Sequence, residues 1–124
     1  MAQSKPEDTH RSFVRSFNSG DLDSLMALYT PDATLVPQPG QVVTGHAAIR
    51  EALQGFLSLK GTIRMETTYV VEAGDIALLR SEWHLDGTGP DGKPMTMAAK
   101  SNEVVRKQSD GTWRIAIDHP YGAE

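Results

Sequence analysis

The chain has no cysteine, which excludes disulfides, thiolate zinc sites and cysteine nucleophiles. It has no run of lysine or arginine, and its net charge is −4. A nucleic-acid partner needs a basic face to neutralise phosphates, and an anionic membrane surface asks for the same, so neither is expected. No apolar stretch approaches the roughly 20 residues that a bilayer crossing takes. The ten residues from Met1 to His10 lack the apolar core of a secretory leader. With the missing cysteine, these features point to a soluble, cytoplasmic protein. The four histidines, His10, His46, His84 and His119, include no pair at i, i+3 or i+4 spacing, so no metal is expected. There is no Gly-x-Ser-x-Gly elbow. Gly87, Gly89 and Gly92 lie in a turn-rich stretch with no helix behind it, which is not a phosphate loop. No cofactor is expected.

What is present reads as one domain, residues 1–124, with 39% hydrophobic and 23% charged residues, enough for an ordered core. Ser4-Lys-Pro-Glu7 has the form of a capping box, and His10, Phe13, Val14 and Phe17 follow at helical spacing up to Gly20. Asp21 starts a second helix with Leu22, Leu25, Met26 and Tyr29 on one face, ended by Thr30-Pro-Asp32. Residues 33–37 form a short strand, Val42 and Val43 another, and Thr44 caps a third helix carrying Ile49, Leu53, Phe56 and Leu57 on one side.

The period then changes from 3.6 to 2. Over residues 62–72, Ile63, Met65, Thr67, Tyr69 and Val71 alternate against Arg64, Glu66 and Thr68. Beyond the Ala73-Gly-Asp75 turn, Leu79, Ser81, Trp83 and Leu85 alternate with Arg80, Glu82, His84 and Asp86. Residues 86–94 form a polar hairpin tip, and residues 95–107 and 112–119 supply the last two strands. Three helices followed by a meander make an α+β class, with a long twisted antiparallel sheet curling around the helices.

Several segments, in order and at matching spacing, resemble the SnoaL-like and ketosteroid-isomerase-like domains of the nuclear transport factor two superfamily. They are Asn18-Ser-Gly-Asp21, Tyr29-Thr-Pro-Asp-Ala33, Gly45-His-Ala-Ala-Ile-Arg50 and Gly111-Thr-Trp-Arg-Ile-Ala-Ile-Asp-His119. The resemblance implies a cone: three N-terminal helices packed in a curved antiparallel β-sheet, enclosing one pocket for a small, largely apolar organic molecule. It also implies a homodimer joined through the outer sheet face. Fold does not carry function. Ketosteroid isomerase works with an Asp base plus a Tyr and a protonated Asp that hydrogen-bond the enolate oxygen. Aligned on Gly20-Asp-Leu-Asp23, the Tyr position falls on Phe13, the base at or beside Pro37, and the second Asp near Asn102 or Glu103. Two of those three roles are empty, so the resemblance does not carry that mechanism over.

For chemistry, His119 is the candidate catalytic residue. If Ile115 and Ile117 point into the cone, alternation turns His119 inward with them and Asp118 outward; its structural alternative is a strand-end cap. Phe17, Tyr69 and Trp83 are the expected pocket walls, with Asn102 as an amide donor to a ligand carbonyl. Met97 and Ile117 are further lining candidates, while Glu66 or Glu103 could belong to an acid pair but each reads more simply as a solvated strand position. His84, opposite in sense to Trp83, is expected outward. Two functional readings follow: a ligand-binding protein with isomerase- or cyclase-type proton transfer, or a non-catalytic binding or association domain with a filled cone.

Overall fold

Asn18 closes the first helix and reaches across to the sheet. Its side-chain amide donates to the Ile63 carbonyl at 3.1 Å, and its side-chain oxygen accepts from the Ile63 N–H at 2.7 Å. In this computed structural model, which describes residues 4–122, those bonds tie helix α1 (Asp8–Asn18) to strand β3 (Thr62–Ala73). Between them come α2 (Leu22–Met26), β1 (Tyr29–Gln38), β2 (Gln41–Thr44) and α3 (His46–Leu57). Strands β4 (Ile76–Thr88), β5 (Pro94–Lys107) and β6 (Trp113–His119) follow. The class is α+β, a six-stranded curved sheet with three helices on its inner side, in the order β2-β1-β6-β5-β4-β3.

The local signals hold with adjustments. Asp21 caps α2 as expected, accepting from the Ser24 N–H at 3.1 Å and the Ser24 hydroxyl at 2.6 Å. The capping box is corrected: Glu7 makes no side-chain cap bond, and Asp8 instead accepts from the Lys5 N–H at 3.1 Å. The start of α3 also shifts by one, because Gly45, at φ 92°, is its N-cap, a conformation that glycine adopts without steric cost. Tyr29 belongs to a strand, since α2 stops at Met26. The antiparallel expectation fails at one pairing, where β1 and β6 run parallel. No hairpin joins these two strands, so no turn dictates their sense.

The core lies between helices and sheet, with Leu25, Ile49, Leu79 and Val105 fully buried, each stabilising the fold by about 1.5–3 kcal/mol. Strand β4 alternates without interruption: Ala77, Leu79, Ser81, Trp83 and Leu85 are all buried. Strands β3 and β6 do not. The β3–β4 register shifts between Thr67 and Tyr69, and the β5–β6 register shifts so that Val105 faces Ile115 while Val104 faces Ile117. Each shift inserts one extra residue, Thr68 in β3 and Ala116 in β6, and reverses the facing of everything after it. No helix among the described residues is long and apolar enough to cross a membrane.

Candidate functional site

The inner face of the sheet is apolar at both ends and polar across two adjoining rungs. One rung carries Thr67, Ser81 and Ser101 on β3, β4 and β5; the next carries Leu79, Glu103 and Asp118 on β4, β5 and β6. Ser81, Ser101, Glu103 and Asp118 are all buried, and the two serine hydroxyls bond one another at 2.6 Å. Glu103 and Asp118 are direct cross-strand partners, a position in which Cβ atoms lie about 5 Å apart. Two carboxyl groups therefore share one small region of low polarity.

Each acid has its own hydrogen-bond partner. His10, on the first turns of α1 and 5% exposed, places Nε2 2.5 Å from Glu103 Oε1 and Nδ1 2.7 Å from Thr67 Oγ1. With Glu103 ionised, Nε2–H donates to it, and the neutral ring then accepts from the Thr67 hydroxyl at Nδ1. Tyr29, at the start of β1, donates its hydroxyl to Asp118 Oδ2 at 2.6 Å. Burial, together with the charge of Glu103, pushes the Asp118 carboxyl up to about 7, against the opposing pull of the Tyr29 hydrogen bond and of His10. Burial and the neighbouring Asp118 hold the Tyr29 phenol well above its ordinary value, so it stays a donor at neutral pH. Near pH 7, Asp118 is thus divided between acid and carboxylate, the condition that suits a group taking and returning a proton.

The two acids and His10 border a cavity of about 60 Å³, room for a few water molecules. His10, Ser101, Glu103 and Asp118 meet it from one side, and Phe13, Phe17, Leu53, Phe56, Trp83 and Leu85 from the others. Trp83 Nε1 donates to the Pro120 carbonyl at 2.7 Å, and the Tyr121 ring meets the indole edge-on, centroids 5.9 Å apart, so the C-terminal turn closes one end. Phe56 also borders a second, open cleft of about 560 Å³ formed by the β1–β2 hairpin, α3, Met97 and Tyr121. Phe56 thus touches both the small acid-lined cavity and a much larger open space.

Of the residues expected at the site, Phe17 and Trp83 line the cavity and are buried. Met97 lies on the outer cleft. Tyr69 does not reach the pocket: it is 49% exposed and lies under the Arg80 guanidinium, 5.4 Å from ring centre to Cζ. The bulge at Thr68 turned it outward. The bulge at Ala116 does the same to Ile117, which is 46% exposed, and to His119, which is absent from the cavity wall. It brings Asp118 inward in their place. Asn102 is likewise on the outer face, accepting from Arg80 Nε at 3.1 Å and donating to the Gly122 carbonyl at 2.9 Å, while its neighbour Glu103 is inside. The reading of Glu103 as solvated is corrected: it alternates with Ala99, Ser101 and Val105, a spacing that already marks an inward face. His84 is outward and exposed. Asp118 had no equivalent signal, because an extra strand residue leaves no mark in an apolar–polar pattern.

The profile of the SnoaL-like domain matches residues 10–115. The fold is shared with a ketosteroid isomerase-like protein from Erwinia carotovora atroseptica SCRI1043 (24% identity, 92% of this chain and 90% of that one, TM-score 0.80). It is shared as well with a protein of Thiobacillus denitrificans ATCC 25259 that bears the name of a calcium/calmodulin-dependent protein kinase type II association domain (19% identity, 96% and 95% covered, TM-score 0.78). An NTF2-like protein with a cystatin-like fold from Novosphingobium aromaticivorans is a third (16% identity, 90% and 75% covered, TM-score 0.74). No curated protein matches the sequence significantly. The chain belongs to the SnoaL-like domain family.

Proposed function

We propose that this SnoaL-like chain binds a small, largely apolar organic molecule carrying one carbonyl group and moves a proton on it, with Asp118 as the acid–base group. The observation that carries this reading is a pair of buried carboxyl groups, Asp118 and Glu103, facing each other across two strands on one side of a largely apolar cavity, with Asp118 pushed up to about 7. As carboxylate, Asp118 takes a proton from the carbon beside the carbonyl. The C–H electron pair moves to form the enolate, and the proton returns from the Asp118 acid to the same or a neighbouring carbon. Tyr29 holds the carboxyl in place through Oδ2. A cavity of about 60 Å³ admits little more than the reacting end of a ligand. The body occupies the outer cleft of about 560 Å³ once the Phe56 ring turns aside.

The test is a thermal-shift screen of steroid, terpenoid, polyketide-like and aromatic ketones. NMR in heavy water then follows deuterium uptake beside the carbonyl for each hit. A ligand at 100 times its dissociation constant raises stability by about 2.7 kcal/mol, and catalysed exchange that disappears in Asp118→Asn supports the assignment. Binding without exchange, or exchange unchanged in that variant, removes Asp118 from the chemistry.

A second reading, a filled cone that serves association, is favoured by the small volume of the inner cavity, well below the 300–1,000 Å³ or so of common ligand sites. Silence across the ketone panel supports it. Either reading accommodates a homodimer. Val71, Leu78, Val104 and Ile117 are register neighbours across four strands on the outer face, an apolar stripe suited to a second copy of the chain. Sedimentation at micromolar concentration checks this, a monomer counting against it.

A further inference from the structure

The proton-transfer reading gives Asp118 and Tyr29 their tasks but leaves His10, Thr67 and Glu103 without one. A buried histidine–carboxyl hydrogen bond is a poor way merely to fasten α1 to the sheet, since apolar groups of the same shape can do as well or better. His10 has a placement that such a fastening would not need. It borders the inner cavity and also an open cleft between α1 and β3, lined by Glu7, Arg11, Arg15 and Thr67. Its two ring nitrogens are divided between the two sides, Nδ1 on the half-buried Thr67 hydroxyl and Nε2 on buried Glu103. Glu103 in turn stands directly across from Asp118.

From this arrangement we infer that Thr67, His10 and Glu103 form a proton conduit between the open cleft beside α1 and Asp118. The inference rests on the proposed proton-transfer role of Asp118. A proton from solvent reaches Nδ1 as the Thr67 hydroxyl accepts one proton and passes on another. The ring becomes an imidazolium, then gives its Nε2 proton to Glu103. The ring is neutral again, now protonated on Nδ1, and the Glu103 acid gives its proton to the Asp118 carboxylate directly across from it, becoming a carboxylate once more. Outward passage of a proton runs the same steps backwards and restores the first tautomer, so no net charge accumulates on the ring. The charged groups around His10 are Glu103 and Asp118 from the sheet side and Glu7, Arg11 and Arg15 from its own helix. Only the carboxylates of the sheet lie on the path inward.

The experiment needs no ligand. After a rapid pH change across neutrality, time-resolved infrared spectroscopy follows the Asp118 carboxyl, its band assigned by loss in Asp118→Asn. Thr67→Val removes the hydroxyl at nearly constant shape, and His10→Gln keeps an amide donor toward Glu103 but relays no proton. The conduit predicts that both variants retain the Asp118 band while its equilibration slows on the order of a hundredfold, the scale on which a positioned proton-transfer group acts. Thr67→Val alone suffices if His10→Gln fails to fold. Equilibration as fast as in the unaltered chain overturns the conduit and leaves the proton-transfer reading standing. An Asp118 band that does not respond to pH near neutrality overturns both.

Discussion

Strands β4 and β6 lie on either side of β5 and face the same core, yet only one follows the pattern its sequence suggests. In β4 alternation runs unbroken from Ala77 to Leu85, so Trp83 and His84 fall on the sides their spacing indicates. In β6 the extra residue at Ala116 divides a seven-residue strand. Ile115 before it and Asp118 after it are both buried, while Ile117 is 46% exposed. The comparison shows how a strand can place a carboxyl group inside the cone from a position that regular alternation would turn outward. The bulge exchanges the face of an isoleucine for that of an aspartate, beside Glu103 and Tyr29, where two other polar groups wait.

The comparison breaks most sharply at Trp83. Trp83→Ala removes the largest side chain of the β4 inner face and its bond to the Pro120 carbonyl, and is expected to cost about 3–5 kcal/mol in urea unfolding. The adjacent His84→Ala, on the exposed side, stays within about 0.5 kcal/mol. Equal losses would mean that β4 does not divide inside from outside.

Next in size is the pH dependence that the bulge creates. Asp118 ionises at about 7 in the folded chain against an ordinary value of 3.8. Between those values the folded state holds more protons than the unfolded state, so stability falls as pH rises through the window and levels off above it. The fall amounts to at most roughly 4 kcal/mol. Asp118→Asn flattens that slope, which urea unfolding at a series of pH values measures. A variant keeping the full slope would assign the titration to another group.

Smaller again is Tyr69→Ala. Its ring lies outside under Arg80, and an exposed contact of this kind is worth about 0.5–1 kcal/mol. A loss as large as that of Trp83→Ala would put Tyr69 back in the core and erase the bulge at Thr68.

The sequence makes most of the architecture legible, for reasons that are local. Asp21 caps with its own side chain, α1 and α3 carry apolar stripes, and the period changes at the first long strand. The cavity walls Phe17 and Trp83 were readable because they sit on elements whose period is unbroken. Asp118 was not, and neither was the outward turn of Tyr69 and His119, because a bulge is fixed by pairing with a neighbouring strand. It is not fixed by the residues of the bulged strand alone. Glu103 is the intermediate case: alternation placed it inside, but a charged residue reads as solvated until its partner is known. That partner, His10, lies 93 positions away in the chain.

The finest test concerns His119 itself. In the folded chain it occupies the outer face beside Asn102, its carbonyl accepting from the Gly122 N–H at 3.0 Å, with a buried Nδ1 that has no hydrogen-bond partner among the described residues. Truncating an imidazole there removes some packing and also one unsatisfied polar atom, two effects of opposite sign. His119→Ala is therefore expected to change stability by no more than about 0.5 kcal/mol and to leave the midpoint of Asp118 where it is. Infrared titration of the carboxyl reads the second quantity directly. A midpoint displaced by a full pH unit would require about 1.4 kcal/mol of coupling between the two side chains. A residue turned to the opposite face of the sheet does not supply that much, so such a result would return His119 to the cavity and with it the uninterrupted alternation of β6.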